Sequence, residues 1–165
     1  MISDTHFSHQ NIITYEKRPF KNTEEMDEFL IKKWNETVSE NDLVFHLGDV
    51  IIAGAQRAEM ILKRLNGRKI LILGNHDCFS KTKYRKLGFE PYERYFYKDW
   101  LMTHKPVDEI PLSIAVENDL LKGNIHGHTH SQNGHLNQKM YKCCCVELID
   151  YKPILFEEFI GEGNC

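Results

Sequence analysis

Five short clusters of Asp, Asn and His punctuate this chain, each where an apolar run gives out: SDTH (3–6), GDV (48–50), GNHD (74–77), MTHKP (102–106) and HGHTH (126–130). Such side chains seldom belong in a core, yet all five clusters fall at the expected ends of strands. The chain therefore needs a fold that brings five strand ends to one edge. Open α/β sheets do this, because residues just past the carboxyl ends of their strands line a crevice. Glycine directly before the key residue in GDV and GNHD lets the backbone turn sharply there.

The intervening pattern supplies the strands and the helices between them. Residues 1–3 read as the end of a strand. TEEMDEFLIKKWNETV (23–38) reads as a helix, with Thr23 as N-cap, acidic residues in the first turn, and Met26, Phe29, Leu30, Trp34 and Val38 at helical spacing. DLVFHLGD (42–49) reads as a strand, and AQRAEMILKRLNG (55–67) as an amphipathic helix stopped by Asn66-Gly67. RKILILGN (68–75) is continuously apolar, the mark of a strand buried on both faces.

KTKYRKLG (81–88) reads as a short basic helix, and YERYFYKDWLMTH (92–104) as one or two strands turning near Lys98-Asp99. Residues 105–121, which hold two prolines, read as irregular. GNIHGHTH (123–130) is a short strand entering a loop, and YKCCCVELID and KPILFEEF read as two antiparallel β segments. Strand–helix–strand order early and strand pairs late predict an α/β fold. The expected architecture is a four-layer α/β/β/α sandwich of two mixed sheets flanked by helices, one domain over residues 1–165.

A 165-residue chain buries about 70% of its unfolded surface and needs no disulfide or metal merely to fold. A net charge of −3 gives no general affinity for nucleic acid or membranes. No apolar run approaches the ~20 residues of a membrane span, and no signal peptide is visible. The five cysteines, Cys78, Cys143, Cys144, Cys145 and Cys165, do not form a disulfide framework, because adjacent strand residues point to opposite faces. They read as reduced thiols of a cytoplasmic protein, with Cys143 and Cys145 on one face.

Gathered at one edge, the clusters offer two aspartates, an asparagine and four or five imidazoles. Mixed oxygen and nitrogen donors suit Mn, Fe, Co, Ni or Zn, and imidazole argues against Mg or Ca. The donors exceed what one ion needs, so two ions are inferred. Such a pair ~3.5–4 Å apart clamps phosphate and activates water.

In order, D-x-H (4–6), G-D (48–49), G-N-H-D (74–77), a lone His at 104 and G-H-x-H (127–130) resemble the calcineurin-like metallophosphoesterases. DTHFSHQNIITYEKRPF (4–20) is further similar to a small phosphoesterase branch of bacteria and phages. The resemblance implies that Asp4, His6 and His130 hold a first metal, that Asn75, His104 and His128 hold a second, and that Asp49 bridges them. It implies a catalytic His76, which faces the phosphate, and an Asp77 that orients His76 and helps keep it protonated. Manganese is the expected ion of both sites, with Fe, Ni, Co or Zn as alternatives. The expected reaction is attack of a bridging hydroxide on a phosphoester, a phosphodiester first of all. His9 and Arg18 are candidate substrate contacts.

Family members usually carry a longer first strand. Only three residues precede Asp4 here, and so short an edge is expected to pair weakly and loosen Asp4. His46 and His126 read as structural histidines. The rival readings are a phosphomonoesterase, a dinucleotide polyphosphate hydrolase and a nuclease using the basic stretch 81–86. A non-catalytic metal-binding scaffold is the rival of another class. Salt-sensitive binding would mark the nuclease, and missing ligands would mark the scaffold.

Overall fold

The structure, a computed structural model, describes residues 1–161, so the reading of Cys165 lies outside the described residues. Strands β1 (Leu43–His46), β2 (Arg68–Ile72) and β3 (Phe89–Tyr92) form a parallel sheet in that order. Strands β4 (Tyr95–Tyr97), β5 (Trp100–Met102), β6 (Gly123–His126) and β7 (Tyr141–Cys143) form a second sheet, antiparallel at β4–β5 and parallel thereafter.

Side chains alternate along a strand, and β1 and β2 use both faces. Val44 and Leu71 pack outward against helices α2 (Thr23–Thr37) and α3 (Ala55–Leu62), through Met26, Leu30, Trp34 and Ile61. Phe45 and Ile72 point inward, against Met102 and Ile125 of the second sheet. Each such side chain stabilises the fold by roughly 1.5–3 kcal/mol. This two-sided burial accounts for the unbroken apolar run of β2. The result is two sheets flanked by helices, as the sequence pattern predicts.

Several elements differ from the sequence reading. Asn22, not Thr23, caps α2, its side chain accepting the Glu25 N–H at 2.9 Å. The stretch read as irregular contains a helix, Glu109–Glu117. Pro111 is tolerated because it lies in the first turn, where a backbone N–H has no intrahelical partner. Two elements were not foreseen: helix α1 (Gln10–Tyr15) and β3, whose Pro91 sits on a sheet edge where a missing N–H costs little.

The two closing β segments are not an antiparallel pair. β7 runs parallel to β6, a 3-10 turn follows at Val146–Leu148, and Phe156–Ile160 is helical. Asp150 and Tyr151, at φ 56° each, break the chain between them. The hairpin near Lys98-Asp99 is present, with φ of 47° and 66° at those residues, as a tight primed turn demands.

The short N-terminal edge is not loose. Residues 1–7 are buried throughout. Ile2 bridges to His46 of β1 and Ser3 to Cys145 just past β7, so the segment ties one sheet to the other. The Asp4, His6 and Phe7 N–H groups then donate to the carbonyls of Gly48, Asp49 and Val50 at 3.0, 3.0 and 2.9 Å.

Candidate metal centre

Parallel pairing sets the geometry. β1 and β2 are neighbours, and Asp49 and Asn75 each lie three residues beyond their ends. β5 and β6 are neighbours in the other sheet, with His104 and His128 each two residues beyond. The four side chains meet where the two sheets face each other. Gly48, at φ 94°, makes the turn before Asp49. Gly74 serves differently from the expected turn: an added Cβ would come within 2.5 Å of the Asp49 N, so the residue has to be glycine for the two loops to touch.

Five of the seven proposed ligands sit in left-handed backbone: Asp4, His6, Asp49, His128 and His130, at φ of 55°, 50°, 54°, 66° and 45°. Non-glycine residues adopt this conformation uncommonly, and it concentrates at functional sites.

Asp4 Oδ2 accepts from the Ser3 hydroxyl, from the His128 N–H at 2.9 Å and from the Cys145 thiol at 3.2 Å. Its other oxygen, Oδ1, is buried with no hydrogen-bond partner, and so is His6 Nε2. These two atoms lie 3.7 Å apart, with His6 Nε2 3.6 Å from Asp49 Oδ2 and His130 Nε2 3.6 Å from Asp4 Oδ1. Orphaned buried polar atoms are costly. Donors converging at about 3–4 Å are spaced as ligands ~2 Å from a shared ion would be, so the residues fit a divalent cation.

His104 is set by the backbone. Its Nδ1 lies 2.7 Å from the Leu47 carbonyl, which can only accept, so that nitrogen carries the proton. Nε2 faces inward, 3.1 Å from Asn75 Oδ1 and 3.4 Å from Asp49 Oδ2. A proton on Nε2, or a divalent cation between the three atoms, satisfies both oxygens. The donor atoms of Asp49, His104 and His128 lie within 4.8 Å of one another, as do those of Asp4, His6 and Asp49.

The field points the same way. Burial opposes ionisation of Asp4, but the neighbouring His6 and the charges of His104 and His130 hold its pKa far below the usual carboxylate range. Asp49 is likewise lowered against burial, chiefly by His104. Burial would lower the His104 pKa, and the Asp49 and Asp4 carboxylates raise it instead. Two buried carboxylates held ionised attract cations.

His76 stands at the mouth, its side chain 50% exposed and Nε2 4.0 Å from Asp49 Oδ2, while its N–H donates to Asp49 Oδ1 at 2.8 Å. His9 adjoins it, with Nδ1 3.3 Å from His6 Nδ1. Burial and the neighbouring His6 and His76 push the His9 pKa down to about 4, so the ring is neutral at pH 7.

Two expected roles are corrected. Asp77 does not orient His76. Its Oδ2 accepts the Asp49 and Gly74 N–H groups at 2.8 Å each, and its Oδ1 the Val50 N–H and Tyr84 hydroxyl at 3.0 Å each. The carboxylate is saturated as a tie between the two loops. Arg18 does not face substrate either. It is buried, donating to the Asp4 and Thr5 carbonyls at 2.7 and 2.8 Å and to Glu147 Oε1.

His46 and His126 are buried and hydrogen-bonded, to Thr5 Oγ1 at 3.0 Å and to the Gly127 carbonyl at 2.8 Å. Sequence reasoning missed Glu147, whose Oε2 lies 3.1 Å from His130 Nδ1. A single glutamate in a cysteine-rich run gives no local signal. The one available hint is general: a buried ligating histidine needs an acceptor for its second nitrogen.

Two stacked sheets thus bring Asp, Asn and His side chains to one shared edge. The chain belongs to the calcineurin-like phosphoesterase family, whose model matches residues 1–152, and that family uses divalent metals. The uncharacterised protein MJ1445 of Methanocaldococcus jannaschii is 37% identical over 170 residues, covering 99% of this chain and 92% of that protein. The crystal structure of AQ665, a protein of unknown function from Aquifex aeolicus, has a TM-score of 0.68 at 28% identity and covers 93% of this chain and 92% of its own. The Pseudomonas putida nuclease MPE shares the fold, with a TM-score of 0.52 at 19% identity over 78% of this chain and 59% of that one. Among the described residues, no helix is long and apolar enough to cross a membrane.

Proposed function

We propose that the protein hydrolyses phosphodiesters at a centre of two divalent ions, with manganese as the first candidate. The observation that carries this reading is the pair of buried, partnerless polar atoms, Asp4 Oδ1 and His6 Nε2, inside a ring of carboxylates and imidazoles. Asp4, His6, Asp49 and His130 would hold one ion, and Asp49, Asn75, His104 and His128 the other. When bound, the ions supply Lewis acidity toward phosphoryl oxygens and lower the pKa of coordinated water.

The chain's own residues do the rest. His76, half exposed beside Asp49, is placed to donate a hydrogen bond to a phosphoryl oxygen and a proton to the leaving oxygen. His9, held neutral, adds a hydrogen-bonding edge without added charge.

A diester is favoured because the cations the sequence set near the cleft are engaged elsewhere. Arg18 is buried, while Lys81, Lys83 and Arg85 pair with Glu93, Glu59 and Glu90 at 2.7, 3.8 and 3.0 Å. Those pairings suit a singly charged diester better than a dianionic monoester, and they weaken the nuclease reading as well. The complete ligand set argues against a non-catalytic scaffold.

Hydrolysis of bis-p-nitrophenyl phosphate and p-nitrophenyl phosphate after reconstitution with Mn²⁺ tests the proposal. Metal-dependent turnover of the diester, absent in Asp49→Ala, is expected. Preference for the monoester would replace the diester reading, and two bound ions without turnover of either would contradict it.

A further inference from the structure

One guanidinium connects three parts of the first half of the centre. The Arg18 side chain is 0% exposed. Its Nε and Nη2 donate to Glu147 Oε1 at 2.8 and 2.6 Å, its Nη2 to the Asp4 carbonyl at 2.7 Å, and its Nη1 to the Thr5 carbonyl at 2.8 Å. The remaining oxygen of Glu147 lies 3.1 Å from His130 Nδ1. Arg18 and Glu147 stand 129 positions apart, and the strand pairing that joins their regions is the isolated bridge Ser3–Cys145.

Stability alone is a poor reason for this pair. Burying a charge pair costs in desolvation about what it returns in attraction, and packed apolar residues often serve as well. An apolar pair cannot bond the carbonyls of Asp4, in left-handed backbone, and of Thr5 beside it, nor choose which nitrogen of a histidine carries its proton. Glu147 does the latter. As an acceptor it keeps the proton on His130 Nδ1 and leaves the Nε2 lone pair aimed at the Asp4 Oδ1 side of the centre, 3.6 Å away. The second half has its own device, the Leu47 carbonyl on His104 Nδ1.

Resting on the two-ion reading above, we infer that Arg18 and Glu147 are positioning residues that set the affinity of the first ion, held by Asp4, His6 and His130, independently of the second. Glu147→Gln tests this, because the amide offers oxygen to only one of its two present partners. With the oxygen on Arg18, its NH₂ faces His130 and drives the proton to Nε2, blocking that ligand.

Two readouts are needed. Calorimetric titration of the metal-free protein with Mn²⁺ should show one of two sites weakened about 10- to 100-fold in Glu147→Gln, with the other unchanged. Electron paramagnetic resonance at low Mn²⁺ should change from an exchange-coupled pair to an isolated ion. Nitrogen-15 shifts of the His130 ring, recorded without metal in mildly alkaline buffer, should place the proton on Nδ1 in wild type and on Nε2 in the variant. Arg18→Lys, which keeps the charge and loses the fork, should move the same site by less, and it serves if Glu147→Gln does not fold.

Equal weakening of both sites, or an unchanged first site in a folded variant, would overturn the clamp while leaving the two-ion reading intact. Fewer than two ions in wild type would overturn the two-ion reading and the clamp's affinity role with it. An unshifted His130 proton in the variant would overturn the clamp on its own.

Discussion

Asn75, His104 and His128 hang from strand ends that sheet pairing already sets in place, and a single backbone carbonyl suffices to orient His104. Asp4, His6 and His130 reach the centre from two distant stretches of chain. Their surroundings are a dense polar lattice: Ser3, Cys145, Arg18 and Glu147 all bond to the ligands or to their backbone. Burial does not follow this division: Asp4, His6 and His104 are buried, His128 and His130 are partly buried, and Asn75 is exposed. Where the sheets position a ligand, little else is needed. Where they do not, buried hydrogen bonds do the positioning.

The largest test removes what the halves share. Asp49→Ala should empty both sites and lower diester turnover by more than ~10³-fold, beyond the loss of a single stabilising contact. Retention of either ion, measured by metal content, would show that the halves are less coupled than their geometry indicates.

His76→Ala separates holding metal from using it. The ring sits over the centre and orients no ligand side chain, so both ions should stay while turnover falls ~10²–10⁴-fold. Loss of an ion would make His76 a ligand and redraw the second half.

Stability offers the third contrast. Arg18→Met strands a buried carboxylate and should cost about 3–5 kcal/mol in urea unfolding. Arg64→Met, which breaks an exposed pair with Glu28, should cost no more than about 1 kcal/mol. Equal costs would deny the first half its special support.

The most gradual effect is a pH dependence behind that half. His46 supports Thr5, and burial depresses its pKa from 6.5 to about 3. Below 6.5 the unfolded chain binds a proton that the native ring refuses, so stability is whole above that value and falls as the pH drops toward 3. The slope is at most about 1.4 kcal/mol per pH unit. Urea midpoints of metal-free wild type should fall toward those of His46→Gln across that window. Parallel curves would mean that the ring titrates normally.

The same division explains what was legible in the sequence. A carboxylate, amide or imidazole at the end of an apolar run is conspicuous, so all seven candidate donors and the GNHD loop stand out, as does the Lys98-Asp99 hairpin. Glu147 and Arg18 do not, because their partners are set by tertiary approach and leave no local mark. Arg18 in particular carries the signature of an exposed phosphate contact. Asp77 lies next to His76 in sequence, yet its carboxylate turns away to the loop after β1. The helix at Glu109–Glu117 hid behind Pro111, and FEEFI reads as β-like until Phe156 and Phe159 are seen packing on the core as one helical face.

The most direct test of the account is a crystal structure of the protein grown with Mn²⁺, with anomalous scattering locating the ions. Two peaks about 3.5–4 Å apart are predicted, one bounded by Asp4, His6, Asp49 and His130, the other by Asp49, Asn75, His104 and His128. A single peak, or ions held outside these seven side chains, would contradict it.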